Sequence, residues 1–202
     1  MENNREAWLN NITALFIRPH FAKAGYTIPD NVKMGCSFTS RGAFKRKGQR
    51  NQRIGECWSA SASEGGHSEI MISPTIADST EATAILIHEL IHATVGNKEG
   101  HNQVFKSCAL AVGLEGKMTA TKASEALKAT IATWLQSVGE YPHATLNANL
   151  KKQSSRMFKC ECVRCGYTMR ISSKWLKLAT PRCPIGCGDM SHEFEEDYSD
   201  EE

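Results

Sequence analysis

Residues 85–94 read Ile-Leu-Ile-His-Glu-Leu-Ile-His-Ala-Thr, an apolar stretch that contains two histidines and one glutamate. Its many apolar side chains predict a helix that packs into a core. Upstream, Asp78-Ser-Thr-Glu81 has the N-cap and the following acid that satisfy free N–H groups at a helix start. Gly96 is suited to end the helix. The sequence therefore predicts a helix over residues 79–95.

A metal site is predicted on this helix by the HExxH pattern of residues 88–92. His88 and His92 are four residues apart, so both imidazoles lie on one face and can reach one zinc ion. A catalytic zinc usually has three protein ligands, and His101 is the predicted third. It follows a polar, glycine-bounded turn over residues 96–100, which lets the chain reverse and present His101 from the next helix.

Glu89 lies beside the two histidines in this pattern and is predicted to be the general base. A zinc ion lowers the pKa of a water ligand and polarises a carbonyl, while Glu89 takes the proton and passes it to the leaving amine. The alternative is that His88 and His92 are ordinary helix residues and that the pattern is accidental. The capped, apolar helix and the nearby His101 favour the metal site.

The remaining patterns are a mixture of helices and short strands, so we expect an α+β fold. Apolar residues at helical spacing cover residues 4–24, where Pro19 is expected to break or restart the helix. Further helices are expected over residues 101–112 and 122–138. Three extended runs predict a small sheet, and these are residues 32–38, 53–59 and 69–73.

The composition is that of a globular protein, with 41% hydrophobic and 23% charged residues. The polar residues 1–11 lack the basic and apolar segments of an export signal, and no stretch has the roughly 18 apolar residues of a spanning helix. We therefore expect an intracellular protein, either cytoplasmic or associated with the nucleoid or chromatin, that has no membrane partner.

Cysteines are concentrated towards the end of the chain, at the spacing of metal ligands. Cys162 and Cys165 flank one tight turn, and Cys183 and Cys187 flank another. Four thiolates form a closed structural zinc site. Cys160 is a surplus candidate, which replaces Cys162 if the register differs. The alternative is that these cysteines are reduced and bind no metal.

Basic residues form two groups that are suited to phosphate contacts. The first lies in the segment 41–53, which contains glycine and no acidic residue. The second lies in the cysteine segment, where it is interleaved with aromatic side chains, a combination that favours single-stranded or distorted DNA. The predicted nucleic-acid contacts are Arg41, Lys45, Arg46, Lys47, Arg50, Arg53, Lys159, Arg164, Arg170, Lys174, Trp175 and Lys177.

Each of these surfaces also has a plainer interpretation. If Trp175 is buried, it fills the small core of the cysteine segment. If no polyanion binds the segment 41–53, this segment is simply a solvated loop. Residues 193–202 include seven acids and no Lys or Arg. We expect this tail to be disordered when alone, and to compete with DNA for the basic surfaces, to aid solubility or to dock a partner.

Residues 85–105 resemble the SprT and Spartan peptidases, because the helix sequence is followed by Glu99-Gly-His-Asn-Gln-Val-Phe105. Gly55-Glu-Cys-Trp58 and Ile70-Met-Ile-Ser-Pro74 resemble the two strands that precede the active-site helix in that family. Many members also have a C-terminal zinc ribbon. The resemblance implies a minimal zincin-like fold and the cleavage of proteins bound or crosslinked to DNA, activated by DNA.

Together these patterns predict a metallopeptidase domain over residues 1–140, a linker over 141–156, a zinc ribbon over 157–190 and an acidic tail over 191–202. We expect one catalytic and one structural zinc ion in a monomer that acts on DNA-bound proteins. One alternative is a zinc-ribbon DNA-binding or transcription-associated protein whose HExxH domain is inactive. Another is a peptidase that acts on a dedicated partner and does not need DNA.

Overall fold

The computed structural model describes residues 4–40, 53–146 and 157–192 of the chain. Contacts between residues divide the chain into two compact units, Met1–Ala148 and Asn149–Glu202. The first contains the predicted metal-binding helix, and the second contains the predicted ribbon. Within the described ranges, every helix falls short of the length and apolar character that a membrane crossing requires.

The first unit begins with a helical segment that runs without interruption. Helix α1, Arg5–Ile12, is capped by the side chain of Asn4, which accepts a hydrogen bond from the first turn at 2.7 Å. A π-helical turn, Thr13–Ile17, leads into helix α2, Arg18–Lys23. Pro19 therefore changes the helix type and does not break the helix, because the wider turn accommodates a residue without an N–H donor.

Three strands form a small sheet in the order β1-β3-β2. Strand β1 is Val32–Cys36, β2 is Gly55–Trp58 and β3 is Ser68–Ile72. The central strand β3 pairs in parallel with β1 and antiparallel with β2. Each strand overlaps one of the predicted extended runs. Strand β2 lies at the edge of the sheet and packs against the helix that carries His88 and His92.

Helix α3, Ser79–Val95, has the bounds that the sequence predicts. The side chain of Asp78 caps it by accepting a hydrogen bond from Glu81 N at 2.7 Å. Gly96 follows the last turn with a φ of 95°, a value that favours glycine. Nine residues of the helix are buried, so α3 is the centre of the main core.

Helix α4, Gln103–Ala111, begins later than expected because Asn102 is its N-cap. The Asn102 side chain accepts hydrogen bonds from the N–H groups of Val104 and Phe105, at 2.8 and 3.3 Å. A residue in this capping position has an extended backbone. His101 therefore precedes the helix and does not belong to it.

A hairpin occupies residues to which the sequence assigns no element. Its strands are β4, Leu114–Lys117, and β5, Ala120–Ala123, and they pair antiparallel. Helix α5, Glu125–Val138, is then capped by the side chain of Ser124. The predicted helix start at residue 122 is therefore too early, because residues up to 123 pair with β4.

Residues 139–146 extend beyond α5 and pack onto the first unit. Tyr141 is 4% exposed, and its ring centroid lies 5.0 Å from that of Trp8. The Trp8 indole N–H also donates to the carbonyl of Gly139 at 2.9 Å. The structure describes the predicted linker up to residue 146. The first residue of this part, Tyr141, packs against the core.

The second unit contains a three-stranded sheet in the order β7-β6-β8. Its elements are β6, Met157–Glu161, β7, Thr168–Ser172, the short helix α6, Ser173–Leu176, and β8, Ser191–His192. Its buried residues are Cys160, Cys162, Leu176, Cys183 and Met190. Cysteines thus supply most of this small core. The two units together agree with the expected α+β class.

Candidate metal centre

Three imidazoles converge beside helix α3. The Nε2 atoms of His88 and His92 each lie 3.2 Å from Nε2 of His101. His88 and His92 share one face of the helix, because four residues make about one turn. The ring of Phe105, which is fully buried, lies against all three, with centroid distances of 4.9, 4.6 and 4.8 Å. The structure therefore brings together the three predicted ligands.

The turn between α3 and α4 carries His101 to this position. It contains a 3₁₀ turn, Asn97–Glu99, followed by Gly100 with a φ of 54°. The Asn97 side chain donates a hydrogen bond to the carbonyl of Cys57 at 2.6 Å, which ties the turn to strand β2. The polar, glycine-bounded turn thus reverses the chain, as its sequence predicts.

The three nitrogens fit a metal ion. Nitrogen ligands at roughly 2.0–2.1 Å from a tetrahedral zinc lie about 3.3 Å apart, close to the 3.2 Å found here. Burial, aided by the neighbouring imidazoles, lowers the pKa of His88 to about 3 and that of His92 to about 4. Burial and the charge of Arg53 also lower the pKa of His101. The rings are therefore neutral at pH 7, which is the form that binds metals.

Glu89 lies beside the three histidines and is 7% exposed. Burial, together with the charge of Glu56, raises the pKa of its carboxyl to about 8, although the charge of Arg53 opposes the increase. A cation bound to the histidines would favour the charged carboxylate and lower this pKa. A carboxyl group that ionises near neutral pH is suited to accept a proton in catalysis.

Gly55 provides the space that Glu89 occupies. A Cβ atom at this position would lie 2.5 Å from Ile85 Cγ2 and 2.6 Å from Glu89 Oε1. Both distances are far below van der Waals contact, so a side chain here would displace α3 or the carboxylate. By contrast, a Cβ at Gly35 in strand β1 would meet only Glu6 Oε1, at 3.9 Å. The close approach of β2 to α3 therefore requires glycine at position 55.

A second buried carboxylate, Glu56, joins residues on either side of the segment 41–52. It accepts hydrogen bonds from the Ser40 N–H at 2.8 Å, from the Ser40 hydroxyl, and from Arg53 Nη1 at 2.8 Å. Burial raises the pKa of Glu56, but the Ser40 hydrogen bonds and the charge of Arg53 outweigh it and hold this pKa below its usual value. Arg53, a predicted DNA contact, is thus ion-paired at the edge of the site.

An open cavity of about 540 Å³ adjoins the three converging histidines. Strand β2 contributes Gly55 to Cys57, helix α3 contributes Ile85 and Glu89, and strand β5 contributes Thr121. The cavity therefore exposes the histidine nitrogens and the buried carboxyl to the same volume. Its size is sufficient for part of an extended peptide.

Four cysteines form a second cluster, in the second unit. Their sulfur atoms lie within 4.8 Å of one another, and the four are Cys162, Cys165, Cys183 and Cys187. Thiolates at about 2.3 Å from a tetrahedral zinc lie about 3.8 Å apart, and the Sγ atoms of Cys165 and Cys183 are 3.5 Å apart. Backbone N–H groups of Cys165 and Arg164 lower the pKa of Cys162 to about 7. This cluster can hold a metal ion, and Cys160, buried on β6, is not part of it.

The predicted DNA contacts are described only in part. The residues Arg41, Lys45, Arg46, Lys47 and Arg50 lie outside the described ranges. In the second unit, Lys159 is ion-paired with Glu161 at 2.5 Å. Four further basic side chains are exposed, namely Arg164, Arg170, Lys174 and Lys177.

Trp175 is 56% exposed, and the neighbouring Leu176 is buried in its place. The alternative in which Trp175 fills the small core of the second unit is therefore wrong. The Nζ atom of Lys174 lies 5.1 Å from the centre of the indole ring, a distance typical of a cation–π contact. The second unit thus presents an aromatic ring together with a positive charge.

Two residues of the site are not predicted from the sequence. The hydroxyl of Thr121 lies 2.8 Å from His88 Nδ1, and Glu56 lies close enough to Glu89 to raise its pKa. No spacing rule relates Thr121 to the helix, because the sequence does not predict the hairpin on which Thr121 lies. Glu56 follows Gly55 in a strand pattern, and this pattern is the one signal that could have identified it.

The comparison with known families agrees with the resemblance. The sequence profile of the SprT-like family matches residues 30–131, a range that extends from the first strand of the sheet into helix α5. No curated protein and no solved structure gives a significant match. The matched range contains Glu89 and all three histidines, and it spans half of the 202 residues. The chain therefore belongs to the SprT-like family, which is associated with metalloprotease-like function.

Proposed function

We propose that this protein is a zinc-dependent endopeptidase. The observation that carries the proposal is the convergence of three neutral imidazoles beside the buried carboxyl of Glu89, with Nε2 of His101 lying 3.2 Å from Nε2 of both His88 and His92. Metal ligands without a base suit a structural site, whereas ligands with a base and a cavity suit hydrolysis. Membership of a family associated with metalloprotease-like function supports the same conclusion.

His88, His92 and His101 would hold the catalytic zinc, which when bound acidifies a water molecule and polarises a carbonyl. Glu89 accepts the proton of the attacking water and passes it to the leaving amine. The partial burial of the site strengthens this carboxylate as a base, because it is poorly solvated. The walls formed by β2 and β5 orient the peptide in the cavity.

The cysteine cluster would hold a second, structural zinc ion. Four thiolates satisfy a tetrahedral ion and leave no position for substrate. The described residues of the second unit provide few other buried apolar side chains, so the ion would replace a larger core. The proposed content is therefore two zinc ions per chain with different tasks.

The proposed substrates are intracellular proteins that are bound or crosslinked to DNA. The exposed ring of Trp175, next to Lys174, can stack on an unpaired base. Arg164, Arg170 and Lys177 are exposed and can neutralise phosphates. DNA would then activate cleavage by bringing the enzyme and its protein substrate together on one strand.

Incubation of the purified protein with a protein crosslinked to single-stranded DNA tests this function. We expect the crosslinked protein to be cleaved. A second substrate, an uncrosslinked DNA-binding protein, should be cleaved faster when free DNA is added. Cleavage of both substrates should stop when a chelator removes zinc. Cleavage that persists in chelator would contradict the zinc peptidase. Chelator-sensitive cleavage that does not respond to DNA would retain the peptidase and reject its DNA-linked role.

A further inference from the structure

The hairpin of β4 and β5 places a hydroxyl group behind one of the metal-binding histidines. Thr121 lies on β5, where it is paired with Gly116 of β4. Its Oγ1 atom lies 2.8 Å from Nδ1 of His88, on the ring edge away from the converging nitrogens. Thr121 is half-buried and lines the same cavity as Glu89. The hydroxyl is therefore within hydrogen-bond distance of a metal ligand but is not itself a ligand.

The direction of this hydrogen bond follows from the chemistry of the ring. A neutral imidazole has one protonated and one unprotonated nitrogen. A metal ion needs the lone pair of His88 Nε2, which faces His101, so the proton must be on Nδ1. The Nδ1–H group then donates to the oxygen of Thr121. The same contact fixes the tautomer and the plane of the ring.

The backbone holds Thr121 firmly in this place. Strand β5 pairs with β4 along its whole length, and the base of the hairpin is anchored by Leu114 and Ala123, which are 1% and 3% exposed. Strand β5 also packs against helix α3. A supporting group on a rigid element can orient a ligand more accurately than one on a loop.

The other two ligands differ from His88 in this respect. In the parts of the chain that the structure describes, Nδ1 of His92 and Nδ1 of His101 have no hydrogen-bond partner from the protein. Among contacts with described residues, His88 thus differs from the other two in having a hydrogen bond at Nδ1 as well as packing against Phe105. Loss of this bond would free the ring to adopt the wrong tautomer.

We propose that Thr121 is a positioning residue, whose hydroxyl accepts the Nδ1–H of His88 and so prepares Nε2 for the metal. The inference rests on the proposed function only in that the histidines bind a divalent metal. It needs no assumption about the substrate or about DNA. Hydrogen-bond partners of metal-bound histidines typically contribute about 10 to 100-fold to metal affinity or activity.

The test compares three variants of the full-length protein. Thr121→Val removes the hydroxyl and keeps the shape of the side chain, whereas Thr121→Ser keeps the hydroxyl. Thr119→Val is the matched control, because Thr119 is an exposed threonine in the turn of the same hairpin, whereas the partner of His88 Nδ1 is Thr121. Each metal-depleted protein is titrated with Co²⁺ and then with Zn²⁺. The cysteine site is identified separately by its thiolate-to-cobalt charge-transfer band.

We expect Thr121→Val to weaken metal binding at the histidine site by about 10 to 100-fold and to alter its cobalt spectrum. Thr121→Ser and Thr119→Val should stay within about threefold of the wild type, and all three variants should bind metal normally at the cysteine site. Equal affinity for Thr121→Val and wild type would overturn the inference. An equal loss in Thr119→Val would also overturn it, because the hairpin and not the hydroxyl would then be responsible. A wild-type protein whose histidines bind no metal would instead reject the proposed function.

Discussion

The two clusters of candidate metal ligands differ in their surroundings. The histidine cluster has three ligands, two half-buried and one exposed, beside a buried carboxyl and a cavity of about 540 Å³. The cysteine cluster has four ligands, two of which belong to the buried core of their unit. Four protein ligands complete a tetrahedral ion, whereas three leave one position for chemistry. Ligand number and enclosure would therefore make the cysteine cluster a structural site and the histidine cluster a catalytic one.

The clusters also differ in how much the fold depends on them. Helix α3 has nine buried residues, none of them a predicted metal ligand, so its packing into the main core does not use the histidines. In the second unit, Cys162 and Cys183 are both ligands and core residues. A metal ion bound there would contribute to the folding free energy of the unit. Removal of one metal should therefore affect activity, and removal of the other should affect structure.

The largest expected effect comes from Cys183→Ser combined with Cys187→Ser. The double variant should lose one zinc ion and the folded structure of the second unit, because the metal and part of the core are removed together. Zinc at the histidines should remain. Elemental analysis measures the metal, and amide hydrogen exchange measures which unit unfolds.

Cys160→Ser is the control for this experiment, because Cys160 is buried in the same unit but lies outside the cluster. It should keep two zinc ions and a folded ribbon, at some cost in stability from the buried hydroxyl. A double variant that keeps both zinc ions would show that the cysteine cluster binds no metal, and the comparison of the two clusters would then have no basis.

A smaller effect is expected for Gly55→Ala, which acts on the histidine site alone. The new Cβ would lie 2.5 Å from Ile85 and 2.6 Å from Glu89, so the carboxylate or the helix must move. A displacement of about 1 Å costs on the order of 100-fold in rate, and overpacking costs about 1–3 kcal/mol in unfolding free energy. Peptide cleavage and thermal unfolding measure the two effects.

Gly35→Ala provides the matched substitution in the same sheet, where a Cβ meets only Glu6 Oε1 at 3.9 Å. It should leave cleavage unchanged and should not lower stability, since alanine is favoured over glycine in a strand. Comparable losses in both variants would mean that alanine disturbs the sheet in general and that Gly55 has no special relation to Glu89.

The smallest expected effect is a pH dependence of the metal-free protein. The pKa of Glu89 is raised from 4.5 to about 8, so the folded state binds this proton more tightly than the unfolded chain does. The stabilisation is complete below the unfolded pKa and is lost as the pH rises through about 8. Glu89→Gln cannot ionise. In chelator, its melting temperature relative to the wild type should therefore rise from about pH 5 to about pH 9.

Other titrating groups, including the histidines, are common to both proteins and cancel in this difference. A melting-temperature difference that stays constant between the two pH values would show that Glu89 is not buried as described. The cysteine cluster should not contribute to this difference in melting temperature, because Glu89→Gln leaves the cluster unchanged.

The sequence predicts helix α3 and its ligands because both follow from local rules. Spacing places His88 and His92 on one face, Asp78 and Gly96 cap the helix, and a glycine-bounded turn carries His101. The start of α4 differs because Asn102 competes as the N-cap. Such a choice between neighbouring caps is settled by packing and not by the residue types alone.

Local sequence rules do not predict the hairpin of β4 and β5, or the contacts of Thr121 and Glu56 with the site. Residues 114–123 contain few β-branched side chains and no clear alternation, so they give little strand signal. The contact of Thr121 with His88 joins residues 33 positions apart, and Glu56 acts on Glu89 from a different element. Only tertiary packing brings these groups together. The cysteine cluster, by contrast, follows from the spacing of two ligand pairs.

The role of Glu89 as the base beside three metal ligands is tested by a parallel measurement of zinc content and peptide cleavage for the wild type and Glu89→Gln. Both proteins should contain two zinc ions per chain, because the substitution leaves His88, His92, His101 and the cysteines in place. Cleavage by the variant should fall by about 100 to 10,000-fold, since the proton acceptor is lost. Undiminished cleavage by a variant that retains its zinc would contradict the assignment of Glu89 as the base and, with it, the account of the histidine cluster as a catalytic site.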